Sequence, residues 1–244
     1  MNIKFKDLKL KFLKNVIARR HIKDCLTFPY HGKKNESDSA FTVLNIHNLE
    51  IHSGERVGIL GRNGAGKSTL LKCINGIYHP DASEFTVQGR VLSLIEVGSC
   101  LHPELTGLEN IELLLKIYNQ YSKNLLDLIV TFSELENFLE TPAKYYSTGM
   151  NLRLGFSILA FLDFDILLLD EFMAGGDKHF IKQVSSKLND MIANSRILVL
   201  VTHELDYIKE FCTRVIVVNH GEIKFDGDVD SGISFYAQLG SVDI

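Results

Sequence analysis

Residues 61–69 read Gly-Arg-Asn-Gly-Ala-Gly-Lys-Ser-Thr, a complete phosphate-binding P-loop. The apolar run at 57–60 predicts a buried strand before it, and the apolar run at 69–74 predicts a helix after it. The glycines let the backbone turn its N–H groups inward, where they can bind phosphate oxygens at the positive end of that helix. The stretch therefore predicts a phosphate site between a strand and a helix.

Two side chains at the end of this loop have defined roles in P-loop proteins. Lys67 would reach the β- and γ-phosphates of a nucleotide, and the Ser68 hydroxyl would bind Mg²⁺. We expect the rest of the loop to complete the phosphate contacts, through Gly61, Asn63, Gly64, Ala65, Gly66 and Thr69.

A second motif supplies carboxylates. Residues 165–171 read Asp-Ile-Leu-Leu-Leu-Asp-Glu, which predicts a buried strand with two acids at its end. Asp170 would complete the Mg²⁺ shell, and Glu171 would orient and deprotonate the attacking water. An acidic turn after a core strand is the alternative, and the P-loop makes it the weaker one.

His203 ends another apolar run, 198–202. A histidine at a strand end is often structural. If this strand lies beside the phosphate site, however, the imidazole could hydrogen-bond the γ-phosphate.

Composition excludes several classes of protein. The 244 residues are 45% hydrophobic, which is typical of a globular chain, and the formal charge of −4 gives no global field for nucleic acid. Four scattered cysteines predict neither a disulfide framework nor a zinc site. Neither a signal peptide nor a bilayer-spanning run is visible, so any membrane role would depend on a partner. Residues 4–23 are basic, as a solvated face or a surface near anionic lipid headgroups would be.

The order of patterns predicts an α/β fold. Alternating apolar residues at 3–12 and 41–51 indicate an N-terminal antiparallel β portion, and residues 29–39 read as an exposed loop. The composition turns helical at about 98–162, which indicates an inserted helical subdomain. Its helical spacing predicts two apolar faces that pack into a core, formed by Ile111, Leu114, Leu115 and Tyr118 and by Leu125, Leu128, Ile129 and Phe132. Strands and helices alternate from residue 165, which predicts a largely parallel, helix-covered sheet. The predicted elements are short strands at 84–88 and 90–95, strands at 166–169, 197–201, 215–218 and 222–225, and helices at 177–193 and 204–212.

Residues 145–155 resemble the signature motif of ABC ATPases: they read Tyr-Tyr-Ser-Thr-Gly-Met-Asn-Leu-Arg-Leu-Gly. They lie between the P-loop and Asp170, which is the usual order, and residues 174–177 stand where the D-loop belongs. The resemblance runs from about 41 to 230. The signature form, residues 174–177 and the run His-Pro-Glu-Leu-Thr-Gly at 102–107 are most similar to ATPase subunits that export bacterial O-antigen, capsule or teichoic acid.

The resemblance implies a head-to-tail homodimer with two ATP molecules and Mg²⁺ in its interface. Ser147, Thr148 and Gly149 of one subunit would contact the γ-phosphate held by the other subunit, and Asp177 would cross near the partner's site. It implies ATP hydrolysis that powers export of a polysaccharide or lipid-linked glycan through a separate membrane-spanning subunit, at the cytoplasmic face of the inner membrane. Residues 96–110 and the helix after them would contact that subunit.

Other functions stay open at this point. The chain could serve another exported substrate, such as a drug or lipid, could act away from membranes on DNA or ribosomes, or could bind nucleotide without hydrolysis. We expect no nucleic-acid partner, because there is no strong basic stripe. We also expect residues 1–244 to form one nucleotide-binding domain without a C-terminal carbohydrate-binding domain.

Several positions depart from the family pattern. In the signature, Thr148 replaces the usual glycine and Met150 replaces the usual glutamine. Glu96 stands near the usual glutamine that senses the metal, so its role as a metal ligand is an expectation from position alone. The aromatic residue that stacks on adenine is best assigned to Phe41, with Tyr30, Phe28 and the Thr42 position as alternatives. ATP specificity therefore depends on the resemblance.

Overall fold

The computed structural model describes residues 1–13, 40–95, 97–170 and 178–241. Within these ranges the chain forms nine strands and seven α-helices. The strands are β1 Asn2–Leu13, β2 Ala40–His52, β3 Arg56–Leu60, β4 Glu84–Gln88, β5 Val91–Ser93, β6 Ile166–Asp170, β7 Ile197–Val201, β8 Arg214–Asn219 and β9 Glu222–Gly227. The helices are α1 Lys67–Ile74, α2 Gly107–Ile117, α3 Lys123–Ser133, α4 Thr148–Leu159, α5 Lys178–Asn194, α6 Leu205–Phe211 and α7 Val229–Ser241.

The main sheet has six strands in the order β5-β6-β7-β3-β8-β9, and all neighbours except β8 and β9 are parallel. The predicted parallel sheet is therefore confirmed. The strand β9 is antiparallel because only His220 and Gly221 separate it from β8, and a parallel return needs a much longer crossover. Both turn residues have positive φ, as a two-residue hairpin turn of this kind requires.

Apolar residues cover both faces of the main sheet. In β6, Leu167 and Leu169 pack into the core shared with the helices α2–α7, whereas Ile166 and Leu168 pack toward α1. This two-sided burial explains why the strand reads as an uninterrupted apolar run rather than as an alternating one. Its acid, Asp170, comes at the edge where the strands β3, β6 and β7 all end.

The predicted N-terminal antiparallel portion is also confirmed, as a three-stranded sheet in the order β2-β1-β4. Its inner face buries Ile3 and Phe5 against α1. On the outer face, Lys4 forms ion pairs with Glu50 at 3.3 Å and Glu84 at 3.2 Å. Acids thus neutralise the first lysine of the basic run. Residues 14–23 of that run, and the loop predicted at 29–39, lie outside the described residues.

The helices α2, α3 and α4 occupy the segment that composition predicts to be helical. Ile111 and Leu115 of α2 and Ile129 of α3 are buried in their common core, as their spacing predicts. Two expected core residues are not buried: Leu128 is 54% exposed and Tyr118 is 37% exposed. Since α3 buries only a narrow stripe centred on Ile129, Leu128 lies beside that stripe and faces solvent.

The helix α7 is absent from the sequence-based prediction. It packs on β8 and β9 at the end of the described chain. Ser231 and Gly232 lower its helix propensity and conceal its apolar spacing. Gly232 has a packing role, because a Cβ there would lie 2.6 Å from Val215 Cγ1.

Two further observations concern cysteines and membranes. Among the described residues, Cys73, Cys100 and Cys212 are free thiols. Within the described ranges, none of the helices combines the length and the apolarity that crossing a bilayer requires.

Candidate nucleotide-binding site

The predicted P-loop joins β3 to α1 as expected. Gly61 lies so close to Val218 O that a Cβ would collide with the neighbouring strand. Gly66 immediately precedes α1 with φ 108° and ψ 4°, and a Cβ there would lie 2.8 Å from Leu44 Cδ2. Glycine is thus required at both positions, by space at the first and by space and backbone conformation at the second.

The N-terminus of α1 carries no capping group of its own. Gly66 offers no side chain as an acceptor, and no acidic residue lies in the first turn. By contrast, hydroxyls of Thr106, Ser122 and Ser147 cap α2, α3 and α4. The uncapped N–H groups of α1 are therefore suited to an anion.

Lys67 lies over this loop and is 7% exposed. Its Nζ donates hydrogen bonds to Gly61 O at 2.7 Å and Arg62 O at 3.2 Å. Beside it is a cavity of about 650 Å³ that Lys67, Lys72 and Asp170 share. Asn63, Gly64, Ala65, Gly66, Ser68 and Thr69 also line this cavity, so the structure brings the predicted loop residues together. Two ammonium groups and one carboxylate give it a positive balance that suits a polyphosphate.

Ser68 and Asp170, the two described metal-ligand candidates, both line this cavity. Among the described residues, no group of three or more His, Cys, Asp or Glu side chains is arranged to hold a metal ion. Mg²⁺ usually needs only one or two carboxylates together with substrate phosphates and water, so a hydroxyl and a single carboxylate fit this ion. The other candidate ligand, Glu96, lies outside the described residues, and so do Glu171 and Asp177.

His203 is exposed and lies two residues beyond β7. Because β7 is the parallel neighbour of β3, the predicted position of this strand beside the phosphate loop is confirmed. The histidine lines a separate cavity of about 350 Å³ together with Thr202 and Tyr207. Its hydrogen bond to a γ-phosphate stays a prediction.

An aromatic pair also lines the P-loop cavity. Phe41 lines it, as the sequence predicts, and Phe12 lines it too. The strand register pairs these residues, and their rings meet edge to face with centroids 6.1 Å apart. Tyr78 supports Phe12 from a second side at 5.3 Å. The sequence pattern places Phe12 only in an alternating strand. Its pairing with Phe41 in the structure shows that Phe12 lines the cavity as well. Thr42 is not among the cavity-lining residues, and Tyr30 and Phe28 lie outside the described ranges.

The signature residues stand apart from this cavity. Ser147 caps α4 by accepting a hydrogen bond from Met150 N at 3.2 Å. Ser147 and Thr148 are exposed, and Gly149 is half-buried. The structure therefore does not bring these three residues to the P-loop of the same chain.

A model of the ABC transporter family matches residues 44–174, which include the P-loop, the signature segment and Asp170. The chain belongs to the ABC transporter family. The resemblance inferred from the P-loop, the signature and the acidic strand end is thereby confirmed.

Several relatives in this family have names that refer to export. An O-antigen export system ATP-binding protein of Myxococcus xanthus is 38% identical over 225 residues, which are 90% of this chain and 52% of that protein. Its namesake in Klebsiella pneumoniae is 33% identical over 89% of each chain. A teichoic acids export ATP-binding protein of Bacillus anthracis is 36% identical over 81% of this chain and 36% of its own length. The present ABC transporter chain thus spans about half of the first relative and about a third of the last.

Two solved structures share the fold. The ATP-binding subunit of an ABC transporter superimposes with a TM-score of 0.70 and 22% identity, over 100% of this chain and 95% of that one. An ATP-binding cassette, solved as a dimer in a post-hydrolysis state with ADP and Pi, gives a TM-score of 0.65 and 22% identity over 93% and 98%. The predicted fold class is confirmed.

Proposed function

We propose that this ABC transporter family member binds ATP with Mg²⁺ and hydrolyses it to power export of a polysaccharide or lipid-linked glycan. The observation that carries the proposal is the convergence of Lys67, Ser68 and Asp170 on one cavity at the uncapped N-terminus of α1. The names of the O-antigen and teichoic acid relatives supply the substrate class. A separate membrane-spanning subunit at the cytoplasmic face of the inner membrane would carry the glycan.

Each of the predicted site residues has a separate role in phosphoryl transfer. The N–H groups of the P-loop and the Lys67 ammonium hold the β- and γ-phosphates. Ser68 and Asp170 hold Mg²⁺, which neutralises charge on the phosphates when bound. Glu171 takes the proton of the attacking water, and His203 donates a hydrogen bond to the γ-phosphate.

The exposed signature residues need a second copy of the chain. Ser147 and Thr148 present a hydroxyl and a helix N-terminus to solvent, which are suitable groups for a γ-phosphate. In a head-to-tail homodimer each α4 would face the partner's P-loop, with Asp177 crossing nearby. Two ATP molecules would then be enclosed between the copies.

We expect the rings of Phe12 and Phe41 to form the surface on which the adenine base of ATP stacks. Phe12 is half-buried and held by two edge contacts, so its ring is already positioned for stacking. Phe41 is 45% exposed and is the more adaptable of the two.

The activity is tested by phosphate release from ATP and Mg²⁺. Glu171→Gln should lower turnover by about 10²-fold or more, because a general base contributes that much, while ATP binding and dimer formation persist. Glu136→Gln, an exposed carboxylate in the helical segment, is the matched control and should retain the native rate. An undiminished rate in Glu171→Gln would show that Glu171 is not the base.

The substrate is tested in the cell. A strain that lacks this protein should accumulate the lipid-linked glycan on the cytoplasmic side of the inner membrane. Its cell surface should be depleted of that glycan. Restoration by the native chain but not by Glu171→Gln would tie export to hydrolysis. A normal cell surface in the null strain would contradict the glycan assignment.

A further inference from the structure

The loop at residues 102–106, which precedes α2, is bound to the segment that leads to the signature serine. Ala143 N donates to Leu105 O and Lys144 N donates to Pro103 O, both at 2.9 Å. The two segments therefore pair like a short piece of antiparallel sheet. A displacement of the loop would therefore be expected to move residues 142–144 as well.

A buried asparagine gives this loop a fixed shape. Asn110 is 0% exposed, and its Oδ1 accepts from His102 N at 2.6 Å. Its Nδ2 donates to the carbonyl oxygens of His102, Leu105 and Thr106 at 2.9–3.1 Å. With acceptor and donors both used on one loop, Asn110 holds the loop to α2 as a rigid body.

An ion pair on the surface also joins the 102–106 loop to residues 142–144. Lys144 Nζ donates to Glu104 Oε2 at 2.7 Å, and this hydrogen bond lowers the pKa of the Glu104 carboxyl. Tyr146 then anchors the chain, since its hydroxyl donates to Phe138 O at 2.8 Å. The next residue is Ser147, so only two residues separate the ion pair from the cap of α4.

We propose that Glu104 and Lys144 are positioning residues that set Ser147 for the nucleotide held by a second copy. The inference rests on the proposed function. Exposed ion pairs contribute only about 0–1 kcal/mol to stability, so a purely structural pair would have little effect. A misplacement of about 1 Å at a reacting group, by contrast, can lower a rate by about 10²-fold.

The test is a charge swap. Glu104→Lys and Lys144→Glu should each lower kcat for ATP by about 10-fold or more, because Ser147 is displaced. The affinity for ATP should be unchanged, because the P-loop lies elsewhere. The double variant should regain at least about half of the native kcat, since the pair is restored with opposite polarity.

A matched control lies on β9. Glu222 and Lys224 form an exposed ion pair at 2.5 Å, and Lys224→Glu should leave kcat within about twofold of native. Equal kcat in Glu104→Lys and Lys224→Glu, or no recovery in the double swap, would overturn the inference. If the native chain itself neither binds nor hydrolyses ATP, the proposed function fails instead, so the two failures are distinguishable.

Discussion

The P-loop and the signature segment both place a helix N-terminus where a phosphate is expected, but they are built differently. The P-loop is a contiguous run in which Gly66 shapes the backbone and leaves α1 uncapped. The signature N-terminus is capped by Ser147, and its position depends on residues about forty positions earlier, such as Glu104. The first site is thus encoded locally, whereas the second depends on tertiary contacts.

The surroundings of the two sites also differ. The P-loop lies against the main sheet, with Lys67 almost buried. Ser147 lies at the surface of the helical segment, after the exposed Lys144 and Tyr145. A site that a second copy completes has to be exposed in the single chain, and this difference agrees with the proposed division of roles.

The largest expected effect comes from breaking the local site. Gly66→Ala introduces a Cβ 2.8 Å from Leu44 Cδ2 at a positive φ, which should reduce ATP affinity on the order of a hundredfold because the loop must shift. Fluorescent-nucleotide titration measures this directly.

The matched change at the signature site is Gly149→Ala. Among the described residues, a Cβ there would meet only Ser147 Oγ, at 3.9 Å, so it fits this part of the chain without movement. ATP binding by the single chain should stay native, and the melting temperature should rise slightly because alanine favours the helix by about 0.5–1 kcal/mol. Equal loss of ATP binding in Gly66→Ala and Gly149→Ala would contradict the assignment of affinity to the P-loop.

A smaller effect separates the two aromatic residues of the P-loop cavity. Phe12→Ala should weaken ATP binding on the order of 10-fold, because stacking on a base contributes about 1–3 kcal/mol. Phe41→Ala should weaken binding less, since its ring is more exposed and less fixed. Phe85→Ala changes a partly exposed ring in the same small sheet and is the control. A larger loss in Phe41→Ala would assign the platform to Phe41.

The difference between local patterns and tertiary contacts also decides how much of the molecule could be predicted from its sequence. The P-loop, Asp170 and the strands of the main sheet are local patterns, and the structure confirms where they lie along the chain. Phe12 was missed because its place in the cavity depends on register with Phe41 across the chain. Leu128 was wrongly assigned to the core because helical spacing does not fix how wide the buried stripe is.

The connection between the 102–106 loop and the signature segment was also beyond sequence reasoning. Asn110 is one of several polar residues in α2, and nothing local indicates that its amide holds a loop. The pairing of Glu104 with Lys144 is equally invisible before the fold is known. The motif at 102–107 resembles the export ATPases, but its sequence alone indicates no physical role for it.

The central claim is that one triphosphate lies between Lys67 of one copy and Ser147 of another. A crystal structure of the chain with Mg²⁺ and a non-hydrolysable ATP analogue tests it most directly. We predict a head-to-tail dimer in which each γ-phosphate lies within hydrogen-bond distance of Lys67 Nζ from one copy and Ser147 Oγ from the other. A nucleotide bound at Lys67 with Ser147 of both copies facing solvent would contradict the account.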